Sequence, residues 1–263
     1  MRRVLWSLLL LGVAAGVARA DDWSKDFTVT GRPELRVDAK DGNVDIRTWD
    51  RNQINVHVIA EGYKIGPHSL HIEDRQNGDH VEVDLMVPNE YCFMCIHIHR
   101  SIRVEVRVPR PADLDLRTGD GNITGEKTQG TVRIRTGDGN VELDDVDGSL
   151  YAETGDGNVR VHGRFDNLEV HTGDGNVVTD VANGSKMSSS WSVRTGDGNV
   201  ELRLPDDFSA DLNLRTGDGR ITLDMPVQVS GSLSRSYIHG KLNSGGSTLD
   251  VHTGDGSIRL QKS

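Results

Sequence analysis

Residues 131–176 read TVRIRTGDGNVELDDVDGSLYAETGDGNVRVHGRFDNLEVHTGDGN. The string Thr-Gly-Asp-Gly-Asn recurs in it every 18 residues, at Thr136, Thr154 and Thr172. Between the copies, apolar and polar residues alternate: Val132, Ile134, Thr136; then Val141, Leu143; then Leu150, Ala152, Thr154. A period of two is the mark of a strand buried on one face. Gly-Asp-Gly-Asn has turn chemistry, because glycine tolerates φ > 0 and Asp or Asn bonds nearby backbone N–H groups. Asp147-Gly148 and Gly163-Arg164-Phe165-Asp166 supply the opposite turns. One unit is therefore two short strands and two turns, too little to bury a core alone. Stacked units bury each other's apolar face, with layers about 4.8 Å apart. The expected fold is all-β: a β-solenoid or flattened β-roll of 18-residue two-strand repeats. A meander of ordinary hairpins fits the constant period less well.

Working outward, the tetrapeptide occurs seven times. The copies are Thr118-Gly119-Asp120-Gly121, Thr136-Gly137-Asp138-Gly139, Thr154-Gly155-Asp156-Gly157, Thr172-Gly173-Asp174-Gly175, Thr195-Gly196-Asp197-Gly198, Thr216-Gly217-Asp218-Gly219 and Thr253-Gly254-Asp255-Gly256. Five continue with Asn (Asn122, Asn140, Asn158, Asn176, Asn199), the last two with Arg220 and Ser257. The later spacings lengthen to 23, 21 and 37 residues, and the longest leaves room for a degenerate unit near Asn243-Ser244-Gly245-Gly246. A weaker echo, Ala39-Lys40-Asp41-Gly42-Asn43-Val44, lies upstream. Residues 21–110 are rich in strand patterns without the clean repeat. They read as an atypical N-terminal cap continuous with the stack, shielding a sheet edge that would otherwise polymerise. Residues 111–263 are the repeat solenoid, with Arg259, Gln261 and Lys262 placing polar groups on what reads as its final strand. Helical periodicity is absent from residues 21–263.

Residues 1–20, MRRVLWSLLLLGVAAGVARA, have a basic start, an apolar run and an Ala-x-Ala site. The run is shorter than the roughly 20 residues that span a bilayer. A cleaved signal peptide is expected, with the product exported to the periplasm, the medium or the bacterial cell surface. The chain of 263 residues carries −10; three arginines and no acid lie in residues 1–20, so the remainder carries −13. Such a body is a poor ligand for nucleic acid or anionic lipid. Aromatic residues at 5% exclude an aromatic-rich sugar or base platform as the main design.

The export signal, the string Gly42 to Asp50 (GNVDIRTWD) and the Thr-Gly-Asp-Gly-Asn-Val repeats resemble a bacterial exported domain family of unknown function labelled "putative adhesin". The resemblance covers most of residues 27–260. It implies a β-solenoid-like domain without established catalytic residues, and it leaves the Cys-x-x-Cys string at 92–95 unexplained.

Three patterns bear on chemistry. In-register turns would align Asp120, Asp138, Asp156, Asp174, Asp197, Asp218 and Asp255 along one edge. Their mutual repulsion is about 1 kcal/mol per neighbouring pair in bulk water and more at lower dielectric. Capping within each turn, exposure to water or shared cations would relieve it, and capping is the expectation. A Ca²⁺ ladder is the alternative, although Ca²⁺-binding β-rolls use a nine-residue period and a different glycine order. The Asn column reads as a hydrogen-bonded ladder. The column before each Thr (Arg117, Arg135, Glu153, His171, Arg194, Arg215, His252) lies on the outer face and reads as charge balancing rather than an anionic-glycan site.

Second, Cys92-Phe93-Met94-Cys95-Ile96-His97-Ile98-His99 lies in a half of the chain rich in His. A local Cys92–Cys95 disulfide suits an exported chain. Unpaired or intermolecular thiols, and Zn or Cu held by Cys92, Cys95, His97 and His99, are the alternatives. Third, no Gly-x-Ser-x-Gly, His-Glu-x-x-His or P-loop is present. A catalytic or ligand site would break the repeat, which singles out residues 177–194 with Trp191, and residues 226–247. The functional expectation is a non-enzymatic exported scaffold or binding module, adhesin-like in associating with a surface protein or glycan and requiring no cofactor. A glycan-active enzyme on a β-helix and a periplasmic metal-binding protein are the alternatives.

Overall fold

A computed structural model describes residues 20–87, 100–229 and 234–263. All secondary structure in them is β. The N-terminal part holds β1 (Asp21–Thr28), β2 (Glu34–Asp38), β3 (Asn43–Trp49), β4 (Gln53–Glu61), β5 (His71–Asn77), β6 (His80–Met86) and β7 (Ser101–Pro109). Then come β8 (Asp113–Arg117), β9 (Ile123–Glu126), β10 (Gln129–Thr136), β11 (Val141–Thr154), β12 (Val159–Thr172) and β13 (Val177–Val181). The last third holds β14 (Trp191–Thr195), β15 (Val200–Leu204), β16 (Ala210–Thr216), β17 (Ile221–Asp224), β18 (Val227–Val229), β19 (Tyr237–Leu242), β20 (Thr248–Thr253) and β21 (Ile258–Lys262).

Strands preceding the tetrapeptide stack in parallel into one sheet and those following it into a second. The first sheet runs β5-β6-β2-β8-β10-β11-β12-β14-β20-β16-β19-β18. The second runs β1-β4-β7-β3-β9-β11-β12-β13-β15-β21-β17. β11 and β12 are 14 residues each because they pass through the edge opposite the tetrapeptides, the far edge, and serve both sheets. Alternation puts one face of each sheet inside. Leu35, Leu114, Val132, Leu150, Leu168 and Trp191 form one buried column, and Val44, Ile123, Val141, Val159, Val177 and Val200 another. The result is the β-solenoid-like stack that the period requires.

Three expectations change. The upstream echo is a full member of the stack: β2 and β3 pair in parallel with β8 and β9, in register. Asn243 to Gly246 is not a degenerate layer. It is a turn at the far edge after β19, which runs antiparallel to β16, and Asn243, Gly245 and Gly246 take φ of 51°, 72° and 143° there. Nor is β21 the end of the stack, since it lies between β15 and β17. Identical layers offer identical edges, so sequence order does not dictate stacking order.

The ends are protected by other means. Antiparallel β1 and β4 close the second sheet at one end, and antiparallel β5 closes the first. β1 and β5 carry acids and bases along their length, which discourages further pairing. At the other end β18 and β19 close the first sheet. β17 is short, its Ile221 N–H is taken by the Arg235 carbonyl at 2.9 Å, and Pro226 follows.

Candidate functional site: the turn edge and the outer faces

The tetrapeptide edge is built by close approach. Each Thr hydroxyl is buried and sits between layers: Thr136 Oγ1 lies 3.0 Å from the carbonyl oxygens of Gly119 and Gly121 and accepts the Gly139 N–H at 3.2 Å. Thr154, Thr172, Thr195, Thr253 and Thr216 repeat this on the layer beneath each. The first Gly of each later turn donates its N–H to the first Gly carbonyl of the layer beneath, as Gly155 does to Gly137, and Gly119 donates to the Lys40 carbonyl. A Cβ at Gly139 or Gly157 would overlap the carbonyl oxygen of Gly121 or Gly139. None of the tetrapeptide glycines has positive φ. The expected reason for glycine is therefore corrected: the position is closed to a side chain by the neighbouring backbone, not by its own dihedral.

The asparagine ladder is continuous. Asn122 Oδ1 accepts the Asn140 backbone N–H at 2.8 Å and its Nδ2–H at 3.1 Å, and Asn140 does the same for Asn158. Asn43 begins the ladder under Asn122, and Ser257 on Asn199 continues it. The aspartates behave otherwise. Asp120, Asp138, Asp156, Asp174, Asp197, Asp218 and Asp255 are exposed. No hydrogen bond to their carboxylates exists among the described residues, so the expected turn capping is corrected: the carboxylates stand exposed at the surface. Five of them, Asp120, Asp138, Asp156, Asp174 and Asp197, lean over the first glycine of the layer above: Asp120 Oδ1 is 3.1 Å from where a Gly137 Cβ would be, and Asp138 Oδ1 is equally near a Gly155 Cβ.

On the outer face of the first sheet, the column before Thr is balanced by its neighbours. Arg117 bonds Asp115 at 3.0 Å, Arg135 reaches Glu153 at 3.4 Å and Arg194 bonds Asp250 at 2.8 Å. Arg133 lies over the Tyr151 ring at 5.1 Å and Arg215 over Tyr237 at the same distance. Near the N-terminal end, His80 is held between Glu34 (3.2 Å) and Glu82 (3.1 Å). The Glu82 hydrogen bond is the main reason its pKa lies above the ordinary histidine value, against the opposing pull of desolvation.

The second sheet carries an open trough of about 540 Å³ across β3, β9, β11 and β12. Asp45, Glu126, Glu142 and Asp144 face Arg47, Arg160 and His162 in it. His162 Nδ1 is 2.8 Å from Asp144 and Arg47 is 3.3 Å from Asp45. Sequence reasoning missed this grouping, because its members come from four layers and no short motif links them.

Trp191, expected at a broken repeat and open to a ligand, is fully buried. It stacks in the core between Phe165 (6.2 Å, edge-on) and Phe208 (5.2 Å), and donates Nε1–H to the Asp166 carbonyl at 3.3 Å. The insertion before it is largely exposed at the far edge, while the tryptophan itself joins the core. Cys92, Cys95, His97 and His99 lie outside the described residues, as do residues 1–19 of the expected signal peptide. Among the described residues, no group of three or more His, Cys, Asp or Glu is placed to hold a metal ion, and no helix is long and apolar enough to cross a membrane.

The stacked two-sheet architecture with its shared turn edge defines a repeat protein of the Toastrack type. The family model Toastrack DUF4097 matches residues 33–180 and 165–261, and the chain belongs to this family. A solved structure named as a "putative adhesin" of Bacteroides fragilis is 11% identical, with a TM-score of 0.51 over 91% of this chain and 97% of that one. A "putative cell adhesion protein" of Clostridium sporogenes is 12% identical, with a TM-score of 0.46 over 93% and 100%. No curated protein matches the sequence.

Proposed function

We propose that the chain is an exported, non-enzymatic scaffold and binding module that presents its outer sheet faces to a protein or glycan at a cell surface. The observation that carries this is the construction of those faces. Similar layers hold side chains in rows about 4.8 Å apart, and the neighbour-paired charges stand half-buried to exposed on the outer face. A rigid ruled surface suits multipoint recognition of an extended partner, since preorganised groups lose little entropy on binding. The names of the related solved structures point the same way. The test is binding of the purified chain to whole cells and to a glycan array, with native metal content measured on the same sample. Saturable binding lost on charge reversal of an outer-face row supports the reading; no binding to any surface overturns it.

A second reading has one observation in its favour. The four carboxylates of the second-sheet trough, beside Arg160 and His162, are acids and bases gathered on one outer face, the arrangement a glycan-cleaving enzyme requires. Release of reducing ends from a bound polysaccharide, abolished by Glu142→Gln, would establish that reading. Binding without release leaves the trough a recognition surface.

A further inference from the structure

The last layer of the stack is laid down out of order. β14–β15 and β16–β17 precede it in the chain, and β20–β21 enters the slot between them. Inside the slot, Thr253 bonds the Gly198 carbonyl at 2.7 Å below and Thr216 bonds the Gly256 carbonyl at 2.6 Å above. Both walls are parallel strand edges whose N–H and C=O groups have no intended partner until residues 248–263 arrive. Open edges of this kind pair with any matching strand.

The slot nevertheless selects a sequence. Asp250 is held by Arg194 of one wall (2.8 Å) and by Asn213 Nδ2 of the other (2.5 Å). Arg259 bonds Asp224 at 3.0 Å, Gln261 bonds Glu201 at 2.8 Å, and Lys262 pairs with Asp206 at 2.5 Å. These contacts distinguish residues 248–263 from the other tetrapeptide layers. They do not distinguish the chain's own residues 248–263 from those of another copy. The connection that delivers them steps across β16 from β19 to β20 through Asn243, Gly245 and Gly246, all in the left-handed region. The corresponding insertion at the N-terminal end, β7 between β3 and β4, is followed by the rest of the chain.

We infer that the slot between β14–β15 and β16–β17 is an exchange interface for a second copy of this chain, each molecule donating residues 248–263 to the other. Exchange keeps every contact of the layer and changes only the hinge, so concentration decides between the closed and exchanged forms. This goes beyond the proposed surface binding and does not depend on it.

The test uses the intact chain. Isotopically light and heavy copies are unfolded, mixed in equal amounts and refolded over a range from micromolar to millimolar. Asp206 and Lys262 are then joined by zero-length carbodiimide coupling. Exchange predicts light–heavy Asp206–Lys262 links, whose share rises with refolding concentration toward one half. Links of a single isotope at every concentration overturn the inference. A second readout pairs differently tagged Asn199→Cys and Ser257→Cys chains, positions whose backbone and side chain meet at 2.9 Å. A 199–257 disulfide between the two tags supports exchange; its absence, with both variants folded, overturns it.

Discussion

The two edges of the stack solve the same problem with different constraints. At the tetrapeptide edge, successive turns touch backbone to backbone, and the space beneath each second glycine is already filled by a carbonyl. At the far edge the connections vary. β11 and β12 run straight through with bulges near Leu143 and Gly148, whereas residues 182–190 form a long excursion. Left-handed residues gather there: Lys127, Gly130, Asp145, Gly148 and Gly184. Strict repetition of sequence thus marks the places where layers leave no room, and variation marks the places where a loop can swell outward without disturbing its neighbours.

The sharpest break of this contrast is a glycine on each edge. Gly157→Val places a branched side chain into the Gly139 carbonyl and should prevent the layer from closing, a loss of more than about 4 kcal/mol, in the range reserved for gross steric conflict. Gly184→Ala meets nothing nearer than Arg164 Cδ at 3.8 Å and suffers only from its φ of 84°, a loss of about 1 kcal/mol. Chemical denaturation of both variants checks the pair; equal losses would erase the distinction between the edges.

Trp191→Ala tests whether the far edge, variable as it is, still anchors the core. Truncation beside Phe165 and Phe208 should cost about 3–5 kcal/mol, read from the denaturation midpoint. A change below 1 kcal/mol would mean that the aromatic cluster is not packed as described. Thr172→Val is next in size. It keeps the shape but strands the Gly175 N–H and the Gly157 carbonyl at a fully buried site, a loss of about 1–3 kcal/mol.

The smallest effects come from one substitution made on both edges. Asp147 accepts a hydrogen bond from Arg164, so Asp147→Asn should lower the melting temperature by a few degrees. Asp156 has no such partner and stands between Asp138 and Asp174 in the acidic row, so Asp156→Asn should leave the melting temperature unchanged or raise it slightly. Added salt should shrink the difference between the Asp156 variant and the parent, because it screens the same repulsion. A melting temperature lowered by Asp156→Asn would restore turn capping to the aspartates.

Much of the architecture is legible in the residues themselves. The alternation of Val132, Ile134 and Thr136 fixes which face is inside, because a strand's side chains alternate with period two. The constant spacing of Thr136, Thr154 and Thr172 fixes the in-register parallel stacking, because only equal units bring like turns together. The asparagine ladder follows from that register, since an amide in each layer meets its equivalent about 4.8 Å away. These are local or nearest-layer properties, and an 18-residue window contains them.

Tertiary structure alone decided the rest. Whether Gly139 is needed for its own dihedral or for its neighbour's carbonyl depends on a distance between chain segments, which composition does not encode. Trp191 reads as a candidate site residue in a broken repeat, yet Phe165 and Phe208, distant in sequence, enclose it. The trough residues Asp45, Glu126, Glu142, Asp144 and Arg160 meet only after four layers are stacked. The order of the layers is the clearest case. Every tetrapeptide layer presents the same backbone edge, so local chemistry is nearly indifferent to which lies on which. Long-range pairs such as Asp250 with Arg194 and Lys262 with Asp206 break that degeneracy and seat the C-terminal layer between two that precede it.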